Sequence, residues 1–233
     1  MELCIRIWLT INVKSPSIAV GPVYQHDVPI KWTEDRSLQD LIRVRFKKCA
    51  ASGNPRYRTR LEGKFTAAYL VNVCEMKLHW TDNLTDHLCQ DPDQHVFTVY
   101  KHKICLLNHS KSKDGCPIPK DVLEEALDTL DLLFPFGDPA TKQLLKKENQ
   151  LVFYQLGNRA RDRELDLSRY EYWREELDDL VDSFRKPPRS WKQLATDRRN
   201  LMEWAAFWVA VMVAISVKAY HAAIAQSRYS PQN

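Results

Sequence analysis

Hydrophobic positions along this chain change their period several times, and each period predicts a different element. Leu3, Ile5, Ile7, Leu9, Ile11 and Val13 occupy alternate positions, the period of a strand with one buried face. A proline-containing connection follows to about Trp32. Ser37 stands where its side chain can cap a helix, and Leu38, Leu41, Ile42 and Phe46 share one face of that helix up to about Cys49. Phe65 to Met76 is a compact apolar segment expected to be helical, and Lys77 to Trp80 is expected to be extended. Val96 to Leu107 reads as a strand or hairpin arm.

From Pro119 onward the pattern is helical. Proline suits a first helical turn, where its missing N–H is not needed. Leu123, Ala126, Leu127, Leu130, Leu133 and Phe134 form one stripe, with Glu124, Glu125, Asp128 and Asp131 around the other side. Phe136-Gly137-Asp138-Pro139 ends this helix and starts another, to about Lys147. Asp166 or Ser168 can cap the next, in which Tyr170, Trp173, Leu177, Leu180, Val181 and Phe184 recur at three and four. Pro187-Pro188 stops it, and Trp191 to the end reads as one long helix or two joined pieces. The expected fold is therefore α+β. A strand-plus-helix part (1–50) and a basic linker (51–63) precede an α+β core (64–185) that is mostly helical in its second half. A long apolar helix and tail (186–233) follow.

The last of these segments is the most apolar. Trp204 to Val217 runs for 14 residues without a charge, about 21 Å of helix at ~1.5 Å per residue. A bilayer core is about 30 Å thick and usually takes around 20 apolar residues. Three readings follow. The segment can be a tail anchor over 201–217, with Arg185, Lys186, Arg189, Lys192, Arg198 and Arg199 on its cytoplasmic side and Lys218 snorkelling. It can be a packed core helix. It can be an interface to which Trp204, Phe207, Trp208 and Val211 supply aromatic and apolar anchors.

Charge sharpens the picture locally. The chain has 233 residues, 44% of them hydrophobic, and a formal charge of only +4, so its total charge does not call for nucleic acid. Yet seven basic residues and no acidic one lie between Arg43 and Arg60: Arg43, Arg45, Lys47, Lys48, Arg56, Arg58 and Arg60. This stretch can meet phosphates, or serve as a nuclear-import signal. Arg185-Lys186 with Arg198-Arg199 forms a second, roughly bipartite candidate. MELCIRIWLTINV is interrupted by Glu2, Arg6 and Asn12 and lacks a small-residue cleavage site, which favours a strand over a secretory leader. The six cysteines contain no CxxC pair and are expected to be reduced thiols of an intracellular protein.

Chemistry-bearing motifs are sparse. His87, Cys89, His95, His102, Cys105, His109 and Cys116 include the residue types that hold zinc, but without the pairwise spacing of a zinc site. The sequence has no glycine-rich phosphate loop, no GxSxG and no HExxH. The carboxylates sit opposite apolar stripes, where a solvated face is expected. No catalytic residue, metal ligand or cofactor is assigned.

Five blocks carry a family resemblance: KLHWTDNLTDHL (Lys77–Leu88), VYKHKICLLNH (Val99–His109), IPKDVLEEALDTLDLLFPFGD (Ile118–Asp138), YEYWREELDDLVD (Tyr170–Asp182) and FWVAVMVAISV (Phe207–Val217). In order and composition they resemble a large family of filamentous-fungal proteins over roughly 64–217. Members of that family end in a longer hydrophobic helix and are described as membrane proteins. Subtelomeric members resemble the hypoxia-responsive morphology factors of moulds, regarded as nuclear regulators that shape colony and biofilm architecture. The short tail and basic stretches here suit such a nuclear member. The resemblance thus implies a non-enzymatic intracellular regulator that works through protein partners. The alternative it implies is a tail-anchored membrane protein with a cytoplasmic interaction domain.

Overall fold

The structure is a computed structural model, and it describes residues 2–14, 30–32, 35–49, 60–112, 115–157, 163–186 and 201–229. The basic residues Arg56, Arg58, Arg198 and Arg199, and the stretch 187–200, lie outside these described residues.

The chain begins with helix α1 (Glu2–Leu9), not with the expected strand. Period four is contained in period two, so Ile5 and Leu9 satisfy both patterns. They are buried, while Ile7, which a strand would bury beside them, is exposed. Thr10 takes a left-handed conformation at φ 53°, and the chain leaves the helix extended. Ile11 and Val13 then reach the core, and β1 (Val13–Lys14) pairs in parallel with β2 (Ile30–Lys31). Helix α2 (Leu38–Arg45) starts at Ser37, whose hydroxyl accepts the Asp40 N–H, and it buries Leu41 and Ile42.

A second sheet forms the centre. Helix α3 (Ala67–Asn72) is capped by Thr66 and feeds β3 (Lys77–Thr81). A 3-10 turn (Leu84–Asp86) and β4 (Gln90–Asp91) lead to β5 (Val96–Tyr100). The strand order is β3-β5-β4, with β3 parallel to β5 (Lys77↔Val96 to Thr81↔Tyr100) and β4 antiparallel to it. Phe97, Thr98, Val99 and Tyr100 are all buried, so the central strand is covered on both faces. The extended segment expected to run to Leu107 instead stops at Tyr100. Helix α4 (Lys103–Lys111) takes over, which puts His102 at a helix start and Cys105 inside the helix.

Helices complete the body. They are α5 (Lys120–Leu133), α6 (Pro139–Lys147), α7 (Leu151–Gln155) and α8 (Arg174–Arg185), with a 3-10 turn at Leu167–Arg169. Asp138 accepts the Thr141 N–H at 2.8 Å and caps α6, and Pro139 occupies its first turn. Asp166 accepts the Ser168 N–H and caps the second 3-10 turn. One hydrophobic cluster runs from Ile5, Leu9 and Ile42 through Phe97 and Leu130 to Leu177 and Phe184. Each large aliphatic side chain buried there contributes about 1.5–3 kcal/mol.

The chain divides into two compact units, 1–185 and 186–233. The second contains α9 (Leu201–Tyr229), a helix of 29 residues.

Candidate functional site

Helix α9 is the strongest candidate for a functional surface. Its charge-free run from Trp204 to Val217 places apolar residues around the whole circumference at about 100° per residue. By length and composition, Trp204–His221 is long and apolar enough to cross a membrane, and none of that window is buried. Trp204, Phe207 and Val211 share a face through spacings of three and four and are half-buried, while Trp208 is exposed. The rings of Trp204 and Trp208 meet edge-on at 6.3 Å, and those of Phe207 and Trp208 at 5.4 Å. This aromatic cluster occupies one end of the apolar run. Tyr220 and His221, 6.2 Å apart, mark the other. Ser216, the one hydroxyl in the run, donates to the Met212 carbonyl at 2.9 Å, which hides its polarity inside the helix.

The basic stretch is partly consumed by the fold. Arg43 and Lys47 are exposed, but Arg45 donates to the Thr85 carbonyl at 3.0 Å. Lys48 contacts Glu171 at 2.5 Å and Asp121 at 3.8 Å, and lies over the Tyr172 ring. The hydrogen bond that Lys48 donates to the Glu171 carboxylate holds its ammonium above the ordinary pKa. Arg60 pairs with Asp166 through its backbone in an isolated antiparallel bridge and is itself exposed. Arg185 ends α8 with its side chain exposed, and Lys186 follows it, also exposed.

The histidines and cysteines do not converge. Among the described residues no group of three or more His, Cys, Asp and Glu side chains could hold a metal ion, and no disulfide joins the six cysteines. His102 pairs with Asp82 at 2.6 Å, and His109 bonds the Trp8 carbonyl at 2.8 Å. His87 is buried and both its nitrogens are engaged. Nδ1 accepts the Tyr100 N–H at 3.2 Å, and Nε2 lies 2.7 Å from the Thr129 hydroxyl. That hydroxyl donates to the Ala126 carbonyl, so the ring proton must sit on Nε2. Burial lowers the His87 pKa from 6.5 to about 3.

The expectation that carboxylates lie on solvated faces is overturned at two positions of α5. Glu125 is buried and accepts three backbone N–H groups, from Glu171 at 2.7 Å, Tyr172 at 2.7 Å and Trp173 at 2.8 Å. It fastens the segment that enters α8. Burial outweighs these bonds and raises its pKa. Asp131 receives the Lys103 ammonium at 2.7 Å, and both residues are buried. A further cation, Arg163, donates to the carbonyls of Leu132, Gly63 and Phe65. Val122 and Leu132 hold the signal for the burial of Glu125. They flank Glu125 and Thr129 on a second apolar face of α5, beside the stripe of Leu123, Leu127 and Leu130.

Comparisons with protein-family models, with curated proteins and with solved structures return no match to this chain.

Proposed function

We propose that this chain is a tail-anchored membrane protein whose α+β body, residues 1–185, faces the cytoplasm and works by binding protein partners rather than by catalysis. One observation carries the reading: α9 is free of charge from Trp204 to Val217 and apolar on every side. A helix that is hydrophobic all round needs cover all round. A bilayer supplies that at once, whereas a protein partner covers one face. The basic residues that precede the helix in sequence, Arg185, Lys186, Arg198 and Arg199 among them, agree with a cytoplasmic body under the positive-inside rule.

Alkaline extraction of cell membranes tests this. The protein is expected to stay in the pellet, and Val211→Arg is expected to release it, because an arginine at a helix centre costs about 2.5–3.5 kcal/mol on insertion. Release of the wild type by alkali alone would end the reading.

Exposed Arg43 and Lys47 support a second reading, a nuclear regulator of gene expression linked to colony and biofilm morphology and low-oxygen growth. An N-terminal fluorescent fusion separates the two. Nuclear signal lost on neutralising Arg43 and Lys47 supports the regulator, and signal on internal membranes that ignores those changes removes it.

A further inference from the structure

The dimensions of α9 identify the kind of bilayer it fits. The charge-free run spans about 21 Å, and the anchors at its two ends are closer than a typical membrane requires. From Trp208 to Tyr220 is 12 residues, about 18 Å along the axis. From Trp204 to Tyr220 is 16 residues, about 24 Å at ~1.5 Å per residue. Tryptophan and tyrosine settle at the headgroup boundary, where an apolar ring and a polar edge are both accommodated. The ring contacts among Trp204, Phe207 and Trp208 gather that end into one cluster. Lys218 stands immediately after the run and can reach water only by lying near a boundary.

We infer that α9 is matched to a thin bilayer, one poor in sterol and with short or loosely packed acyl chains, and is mismatched to a thick, sterol-rich one. This rests on the membrane reading above and deepens it. A thin bilayer has a hydrocarbon core of about 27 Å and a thick one about 32–33 Å. The span of α9 falls a few Å short of the first, a gap that local thinning and snorkelling of Lys218 can close. It falls about 8–9 Å short of the second. Tilting cannot help, because tilt shortens the reach of a helix that is already too short.

The test uses the full-length protein and vesicles of monounsaturated phosphatidylcholine with chains of about 14, 18 and 22 carbons, which bracket the natural range of thickness. The readout is the fraction that floats with the vesicles after an alkaline wash. Retention is expected to be highest in the shortest lipid and about tenfold lower in the longest. A variant with Leu-Val-Ala-Leu inserted after Val213 lengthens the apolar run by about 6 Å and is expected to move the optimum to the middle lipid. Equal retention in all three lipids, or an optimum that the insertion leaves unmoved, overturns the thickness match while leaving the anchor standing. Loss of the protein from every vesicle, including recovery as a self-associated species in the wash, overturns the anchor and the match together.

Discussion

Acidification should destabilise the body of this protein through His87. The ring is buried with Nδ1 accepting the Tyr100 N–H and Nε2 donating to Thr129. A second ring proton would have to go on Nδ1, where it would face another N–H with no acceptor between them. The ring also meets Trp173 edge-on at 5.5 Å, so the imidazolium would gain no counter-charge there. The folded pKa is about 3, against 6.5 for the free side chain. The unfolded chain therefore takes up the proton first as pH falls. The stability tied to neutral His87 is fully present above about pH 6.5 and is lost below it, at close to 1.4 kcal/mol per pH unit. Relative to well above pH 6.5, the loss at about pH 4.5 is about 2.7 kcal/mol.

Urea unfolding at a series of pH values measures this directly, with His87→Gln as the control because it cannot titrate. The variant should be less stable at neutral pH, and its stability should fall less steeply with acid than that of the wild type, by about 1 kcal/mol per pH unit or more. In melting temperature the wild-type loss at about pH 4.5 corresponds to roughly 5–11 °C for a domain of this size. Parallel pH profiles for wild type and His87→Gln would refute the reasoning. So would a His87 imidazole resonance that titrates near 6.5 in the folded protein.

Other contacts yield further expectations. Glu125→Ala removes the acceptor of three N–H groups, of which the Trp173 N–H is buried. Set against the relief of burying a carboxylate, the net loss should be about 3 kcal/mol, roughly 6–12 °C in melting temperature, with faster amide exchange at 171–173. Because the folded pKa of Glu125 is raised, its share of stability grows as pH falls through that pKa, and Glu125→Gln should flatten this part of a pH–stability profile. Lys103→Met takes the ammonium from buried Asp131 and should cost about 3–5 kcal/mol in urea unfolding. Asp138→Ala removes the cap of α6 and should cost about 1 kcal/mol by the same assay.

The helical half was legible because its signals are local. Asp138-Pro139 marks a helix start through one side-chain acceptor and one ring, and α8 shows its buried Leu177, Leu180, Val181 and Phe184 at spacings of three and four. The N-terminal helix was not legible, since Ile5 and Leu9 fit both periods and only the exposure of Ile7 separates them. The end of β5 was hidden because Val96–Leu107 stays apolar across a change of structure. The turn at Lys101-His102 is needed to bring Lys103 onto Asp131, a partner 28 residues away. The apolar run of α9 could be read from sequence down to its bounding residues. Glu125 could not, because a pattern of charges opposite a stripe points outward until a second buried face is known.

That second face gives α5 its place in the fold. Apolar burial alone discriminates weakly against a slide of this helix by one turn, since Leu127 and Leu130 would land at the positions of Leu123 and Ala126. The polar contacts would not survive it. A slide of four residues would put Leu133 where Thr129 meets His87, and Thr129 where Glu125 holds the three N–H groups of 171–173. It would also carry Asp131 about 6 Å from Lys103. Three contacts to three separate segments fail together under that shift, and each is short enough, at 2.7 or 2.8 Å, to be sensitive to it. The buried polar residues of α5 therefore select its register, while the apolar stripe supplies the greater part of the stabilisation. His87, Glu125 and Lys103 are committed to that internal task, which leaves the exposed surfaces and α9 as the parts of the chain free to meet a membrane or a partner.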